Sequence, residues 1–221
     1  MGAMIEFSRP DGGRTKGYLA TAGENSGRPS LIVIQEWWGL NDQICGVADR
    51  FARAGYNALA PDLYEGRVTQ EPDEANHMMS GLDFAGATVQ DIRGAAQHLQ
   101  GIGGPVGVMG FCMGGALTIA AAVHVPEVSL GVCFYGIPPQ EVADPAKIAI
   151  PMQCHFANQD DWCTPAAVDA LEAATSTAGV SAEIIRYDAA HGFFNETAAI
   201  YDPACANQAW SSMSEFLTAN F

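Results

Sequence analysis

A cysteine flanked by glycines is the residue of this chain best suited to nucleophilic chemistry. Cys112 lies in the run Gly110-Phe111-Cys112-Met113-Gly114-Gly115, after a predicted strand and before a predicted helix. A sharp strand-to-helix turn needs glycine two residues before and after the nucleophile, because side chains there would clash. The turn puts Cys112 at a helix N-terminus, where the helix dipole favours thiolate over thiol. The alternative interpretation is a tight glycine turn around a buried, inert cysteine.

A cysteine nucleophile needs a base, and the base needs a group that orients it. His191 follows the last predicted strand, whereas the other four histidines fall in predicted helices, at a helix end or within a strand. Asp160 and Asp161 follow the strand that ends at Phe156, and either carboxylate is able to orient His191. The order nucleophile, acid and base along the chain is that of the α/β-hydrolases.

Glu36 is a further candidate, at the end of the first buried strand. It lies beside Trp37 and Trp38, and a carboxylate without a counter-charge is unusual in apolar surroundings. An ordinary solvated glutamate at a strand end is the alternative. The position predicts that Glu36 lies at the same edge of the sheet as the Cys112 turn.

Strand and helix signals alternate from about residue 30 to the end of the chain, after a hairpin signal at Asp11-Gly12-Gly13. Apolar runs separated by amphipathic segments predict a mostly parallel central sheet with helices on both faces. We therefore expect a single α/β-hydrolase domain over residues 1–221, with residues 62–86 as an excursion over the active site. Runs predicted as strands are Ile5–Ser8, Gly17–Ala20, Leu31–Gln35, Tyr56–Ala60, Pro105–Met109, Leu130–Tyr135, Met152–Phe156 and Ala182–Tyr187. Predicted helices begin at Asn41, Glu71, Thr88, Gly114, Thr164 and Asp202.

Composition excludes several classes of partner. The chain has 10 Lys and Arg against 25 Asp and Glu, a net charge of −15. A surface this acidic repels phosphate, so neither nucleic acid nor a membrane is an expected partner. The first residues contain no basic region and no long apolar stretch, so we expect a cytoplasmic protein with reduced cysteines. The six cysteines and five histidines show no metal-ligand spacing, so we expect no metal and no cofactor.

Several motifs together resemble the dienelactone hydrolase family, a cysteine-nucleophile branch of the α/β-hydrolases, over nearly the whole chain. They are Ile34-Gln35-Glu36-Trp37-Trp38-Gly39-Leu40-Asn41, Ala60-Pro61-Asp62-Leu63-Tyr64, the Gly-Phe-Cys-Met-Gly-Gly turn, Asp161 with Pro165 four residues on, and His191-Gly192-Phe193-Phe194. The resemblance implies a triad of Cys112, Asp161 and His191, because the family's acid precedes such a proline by four residues.

The resemblance also implies roles for three further residues. Glu36 matches a glutamate that holds the resting thiol and helps to generate the thiolate when substrate binds. The backbone N–H groups of Trp37 and Met113 would form the oxyanion hole. One departure concerns the substrate: Asn195 stands where the family has a carboxylate-binding arginine, and the excursion offers only Arg67 as a second cation.

These inferences predict a hydrolase that cleaves a small lactone or ester through a Cys112 thioester, as a carboxymethylenebutenolidase does. The aromatic residues expected to line its pocket are Trp37, Trp38, Tyr64, Phe111 and Phe193. The alternatives are a general carboxylesterase or thioesterase, and a non-catalytic ligand-binding relative. The expected partner is a small-molecule substrate, and the expected state is a monomer or a small homo-oligomer.

Overall fold

The fold is built on one eight-stranded sheet, seen in a computed structural model that describes residues 1–23 and 27–221. The strand order is β1-β2-β4-β3-β5-β6-β7-β8. The hairpin β1–β2 is antiparallel, β2 pairs antiparallel with β4, and β3 to β8 run parallel. The strands are β1 (Ala3–Ser8), β2 (Arg14–Ala20), β3 (Ser30–Ile34), β4 (Asn57–Pro61), β5 (Val106–Phe111), β6 (Leu130–Phe134), β7 (Met152–Gln159) and β8 (Ala182–Ala190).

Local sequence signals fix where most helices begin. The Asn41 side chain accepts a hydrogen bond from the Ile44 N–H, and the Thr164 side chain caps the helix that follows it. Pro72, Pro165 and Pro203 each open a helix, where a missing N–H costs nothing. The helices are α1 (Asp42–Arg53), α2 (Pro72–Ser80), α3 (Phe84–Gly86), α4 (Arg93–Ile102), α5 (Met113–His124), α6 (Pro165–Ala178) and α7 (Pro203–Asn220).

Helices cover both faces of the sheet, which confirms the predicted layering. The central strand β3 is wholly buried, and alternate residues point to opposite faces. Leu31 and Val33 pack in the cluster that contains α1 and α7. Ile32 and Ile34 pack on the other face, in the cluster that contains α4 and α5. A continuous apolar run therefore marks a strand buried on both sides.

The structure differs from the sequence prediction in a few places. The helix expected from Thr88 begins with a π-helical segment, Ala87–Ile92, before it continues as α4. Strands β7 and β8 run three residues beyond their predicted ends. Among the described residues, no helix is long and apolar enough to cross a membrane.

Candidate active site

The Cys112 turn has the strained geometry that the glycines predict. Strand β5 ends at Phe111 and α5 begins at Met113, so Cys112 alone makes the turn, with φ 55° and ψ −116°. A Cβ on Gly110 would collide with the Gly114 carbonyl, and one on Gly114 would lie 2.5 Å from the Gln35 and Ile34 oxygens. Such conformations persist in folded proteins only where the surroundings enforce them. The backbone therefore presents the Cys112 side chain at the carboxyl edge of the sheet.

The surroundings of Cys112 favour the protonated thiol over the thiolate. Burial, and next to it the charge of the Glu36 carboxylate, raises the pKa of Cys112 far above its ordinary value. The hydrogen bond from the Met113 N–H opposes this rise without cancelling it. A protonated resting state protects the sulfur, since the thiolate is the reactive form.

The acid that orients His191 is Asp160, and the expectation of Asp161 is wrong. His191 Nδ1 lies 2.8 Å from Asp160 Oδ2, whereas Asp161 is exposed. Only 3% of Asp160 is exposed. Burial alone would raise the pKa of Asp160, but the hydrogen bond and charge of His191, with two backbone N–H groups, lower it overall. An ionised Asp160 accepts the Nδ1–H, which leaves Nε2 as the free ring nitrogen.

Local geometry explains why the four-residue spacing to Pro165 selected the wrong aspartate. Asp160 Oδ1 accepts from the backbone N–H groups of Trp162 and Cys163 at 2.7 and 2.9 Å, a turn that points Oδ2 towards His191. Just before it, the β7–β8 register slips between Ala157 and Gln159. Bulges re-aim side chains near active sites, and a spacing along the chain does not show them.

Glu36 lies at the predicted edge of the sheet, but two neutral side chains hold it. Tyr135 Oη donates to Glu36 Oε1 at 3.3 Å, and Asn195 Nδ2 donates to Glu36 Oε2 at 2.8 Å. Burial raises the pKa of Glu36, and these two donors and the charge of His191 oppose that rise. Among the described hydrogen bonds, none joins Glu36 to Cys112, so the two groups act on each other through charge.

Asn195 is a partner of Glu36, and its own orientation is fixed. Its Oδ1 accepts from the Thr197 N–H at 3.0 Å and the Thr197 hydroxyl at 2.7 Å. The amide nitrogen must then face Glu36, because the oxygen is already engaged. Arg67 is exposed and does not line the cavity. Its Nη2 lies 3.9 Å from Glu74 Oε1. Neither position supplies a cation to the site.

The two predicted oxyanion donors flank Cys112. Trp37 lies three residues beyond the end of β3, in a turn closed by a hydrogen bond from the Gly39 N–H to the Glu36 carbonyl at 3.3 Å. Met113 is the first residue of α5, and the first N–H groups of a helix have no partner within the helix. The two amides therefore come from neighbouring strand ends and are free of regular secondary-structure bonds.

A cavity of about 250 Å³ opens over these residues. Its polar lining comes from Glu36, Cys112, His191 and Asn195, and the rest is chiefly apolar. Trp37 and Trp38 line it as predicted, but Tyr64, Phe111 and Phe193 are buried in the core instead. Sequence reasoning missed the remaining lining residues, which are Met79, Trp162, Gly192, Ala198 and Ile200. A lone tryptophan in the polar loop after β7 was the available signal for Trp162.

No group of three or more His, Cys, Asp or Glu side chains within residues 1–23 and 27–221 is arranged to hold a metal ion. A thiol, an imidazole held by a carboxylate, and the backbone N–H groups of Trp37 and Met113 are the parts required for acyl transfer. The Met113 N–H donates to the Cys112 sulfur.

The sheet, the strained Cys112 turn and the His191–Asp160 pair define an α/β-hydrolase fold. The model of the dienelactone hydrolase family matches residues 15–221, and the chain belongs to that family. "Protein usf" of Aquifex pyrophilus is 32% identical, over 96% of this chain and 95% of that protein. A protein of Aquifex aeolicus named "Putative carboxymethylenebutenolidase" is 29% identical, over 98% of this chain and 97% of its own length. The crystal structure titled "Putative Dienelactone Hydrolase" from Klebsiella pneumoniae has a TM-score of 0.83 and 26% identity, over 96% of this chain and 97% of that one.

Proposed function

We propose that this protein hydrolyses a small lactone or ester through a thioester on Cys112, as a carboxymethylenebutenolidase does. The observation that carries the proposal is the position of Cys112 and His191 on one cavity, with His191 held by buried Asp160. The family membership supports a hydrolase, and the apolar cavity of about 250 Å³ suits a small substrate.

The first half of the reaction forms the thioester. The Sγ–H proton of Cys112 passes to His191 Nε2, and the sulfur attacks the ester carbonyl carbon. The amides of Trp37 and Met113 stabilise the oxyanion. Each such donor lowers the activation free energy by about 3 kcal/mol. The carbon–oxygen bond then breaks, and the leaving oxygen takes the proton from His191.

The second half releases the acid. His191 Nε2 takes a proton from a water molecule, whose oxygen attacks the thioester carbon. The carbon–sulfur bond breaks, and the proton returns from His191 to Cys112. The Asp160 carboxylate holds the Nδ1–H tautomer throughout and stabilises the imidazolium in both halves. The proposed reaction steps use no metal or cofactor.

Glu36 governs when the thiolate forms. Its charge keeps the resting sulfur protonated, and substrate binding draws it away from the thiol so that the Cys112–His191 pair is able to form. Its raised pKa supports this role, because a carboxylate that is costly to bury charged is readily displaced or protonated. Glu36 therefore acts through Cys112, by controlling whether its sulfur is protonated.

Acyl trapping on Cys112 tests the proposal. With a slowly hydrolysed ester, mass spectrometry should find the acyl group on Cys112, and Cys112→Ala should abolish both trapping and turnover. We expect Cys112→Ser to be severely impaired, because a hydroxyl is much harder to ionise than a thiol. Cys45→Ala is the matched control, since Cys45 is also half-buried but lies in α1, outside the cavity. Turnover that survives Cys112→Ala would contradict the thioester mechanism.

A general carboxylesterase or thioesterase is the second candidate, and the apolar lining of the cavity favours it over a strict lactonase. A non-catalytic ligand-binding relative is disfavoured, since binding alone does not require the Cys112, His191 and Asp160 arrangement. We further propose a single-domain, cytoplasmic enzyme, a monomer or small homo-oligomer, whose partner is its small-molecule substrate.

A further inference from the structure

Two large apolar side chains of the cavity lining are also exposed to solvent, which places them at its mouth. Trp162 is 64% exposed and Ile200 is 50% exposed, and both line the cavity that contains Cys112. Scattered exposed apolar residues are ordinary, but a concentration of them at a cavity mouth marks a binding surface. The mechanism proposed above uses neither side chain.

Trp162 continues a row of aromatic rings that line the cavity. Its ring lies 5.7 Å from the ring of Trp37, which in turn lies 5.0 Å from that of Trp38, both edge-on. The Trp162 backbone N–H is bonded to Asp160, so the same turn that orients His191 also positions this ring. The ring of Trp162 is 6.5 Å from that of His191.

Ile200 lies against Gly192, the residue that follows His191. A Cβ on Gly192, where φ is 83°, would come within 3.0 Å of Ile200 Cδ1. Glycine at this position therefore lets the isoleucine side chain lie close beside His191. The aliphatic Ala198 continues the same wall.

The charges around the cavity disfavour a carboxylate on the substrate. Its lining, all within the described part of the chain, contains Glu36 but neither lysine nor arginine. The whole chain carries a net charge of −15. A substrate carboxylate would be desolvated here beside Glu36, and no lysine or arginine of the lining would compensate its charge.

We propose that Trp162 and Ile200 form an apolar subsite at the cavity mouth, which selects neutral lactones or esters that carry an aromatic or alkyl substituent. The proposal rests on the proposed ester hydrolysis and names its substrate class. Trp162 is the main specificity-determining residue, because an exposed indole gains the most contact area when an apolar substituent covers it.

Three lactones with the same reacting ring test the subsite. They are δ-valerolactone, the same ring with a pentyl substituent, and the same ring with a carboxylate at the end of that substituent. Hydrolysis of each lactone is measured by pH-stat titration. We expect kcat/KM for the pentyl lactone to exceed that for the carboxylated lactone by at least a hundredfold. Trp162→Ala should raise KM for the pentyl lactone about tenfold, with kcat and the turnover of unsubstituted δ-valerolactone little changed. Trp162→Phe and Ile200→Ala should raise KM for the pentyl lactone by smaller factors.

The controls separate the subsite from the chemistry. Met4→Ala removes an equally exposed apolar side chain in β1, outside the cavity, and should change nothing. A fall in kcat for all lactones in Trp162→Ala would mean that the indole only supports the Asp160 turn, which contradicts the subsite. Self-association of the unmodified protein that is lost in Trp162→Ala would also contradict the subsite. A second copy of the chain would then be what covers the indole. Turnover without any preference for the pentyl group overturns the subsite alone, whereas no turnover above the Cys112→Ala background overturns the proposed function.

Discussion

At the scale of single residues, the choice between two adjacent aspartates is the sharpest structural result. Asp160→Asn should lower kcat by a factor on the order of 10³–10⁴, because an amide no longer holds the Nδ1–H tautomer or stabilises the imidazolium. Asp161→Asn, the matched control, should leave kcat within about twofold, since Asp161 is exposed. Ester turnover under saturating substrate measures both. Equal losses in the two variants would contradict the geometry of the His191–Asp160 pair.

Glu36 gives a second prediction at this scale. Glu36→Gln removes the charge that helps to raise the pKa of Cys112, so more thiolate is present at neutral pH. We expect iodoacetamide to alkylate the variant about tenfold faster at Cys112, while substrate turnover falls because the trigger for thiolate formation is lost. Absorbance near 240 nm across a pH titration reports the thiolate directly.

Glu196→Gln is the control for that experiment, because Glu196 is an exposed carboxylate that acts on Glu36 only through charge. It should leave both alkylation and turnover close to those of the unmodified protein. If Glu36→Gln behaves in the same way, Glu36 takes no part and the mechanism reduces to an ordinary cysteine, histidine and aspartate hydrolase.

Residue types that perform chemistry were visible in the sequence, but their contacts were not. Cys112, His191 and Glu36 meet at one cavity, as their positions at strand ends predicted. Asn195 was read as a missing cation, whereas the structure shows an amide that holds Glu36. That contact spans 159 positions of the chain, and no local pattern encodes the direction of a side chain across such a distance.

At the scale of elements, the Cys112 turn is where sequence and backbone agree most closely. Gly110→Ala should destabilise the protein by about 1–3 kcal/mol and lower activity, because the new Cβ collides with the Gly114 carbonyl and shifts the turn. Gly46→Ala is the opposite control: it lies exposed within α1 with nothing close to a Cβ, and should stabilise by about 0.5–1 kcal/mol. Urea unfolding measures both changes. A neutral Gly110→Ala would show that the turn tolerates a side chain.

Helix starts were predictable because caps and first-turn prolines act within three residues, as at Asn41 and Thr164. The π-helical segment Ala87–Ile92 and the register slip between Ala157 and Gln159 were not predictable. Neither is marked by a local pattern of residue types. The slip matters most, since it directly precedes the residue that orients His191.

At the scale of the whole molecule, the alternation of apolar runs and amphipathic segments was sufficient to predict the layers. Strands β3 to β8 all run parallel, because each connection returns the chain to the same edge of the sheet before the next strand begins. The carboxyl ends of those strands carry the proposed active-site residues, where open α/β sheets bind their ligands. The buried polar contacts inside the sheet were not predicted, and one of them couples the fold to pH.

His155 is buried in β7 and held neutral between two partners. Its Nδ1 accepts from the Tyr187 hydroxyl at 2.8 Å, and its Nε2–H donates to Gln153 Oε1 at 3.0 Å. The ring also stacks on Phe134, with centroids 4.4 Å apart. Burial lowers the pKa of His155 to about 3, whereas a histidine in the unfolded chain titrates near 6.5.

The unfolded chain therefore binds more protons at this site than the folded protein between about pH 6.5 and pH 3. The stability that neutral His155 contributes is complete above pH 6.5 and is lost progressively as the pH falls below it, by up to about 1.4 kcal/mol per pH unit. His155→Gln should be less stable at pH 7 but should show a correspondingly shallower decline towards pH 4.5 in urea unfolding. His124→Gln, at an exposed histidine, should retain the slope of the unmodified protein. Parallel curves for His155→Gln and the unmodified protein would mean that other groups cause its acid sensitivity.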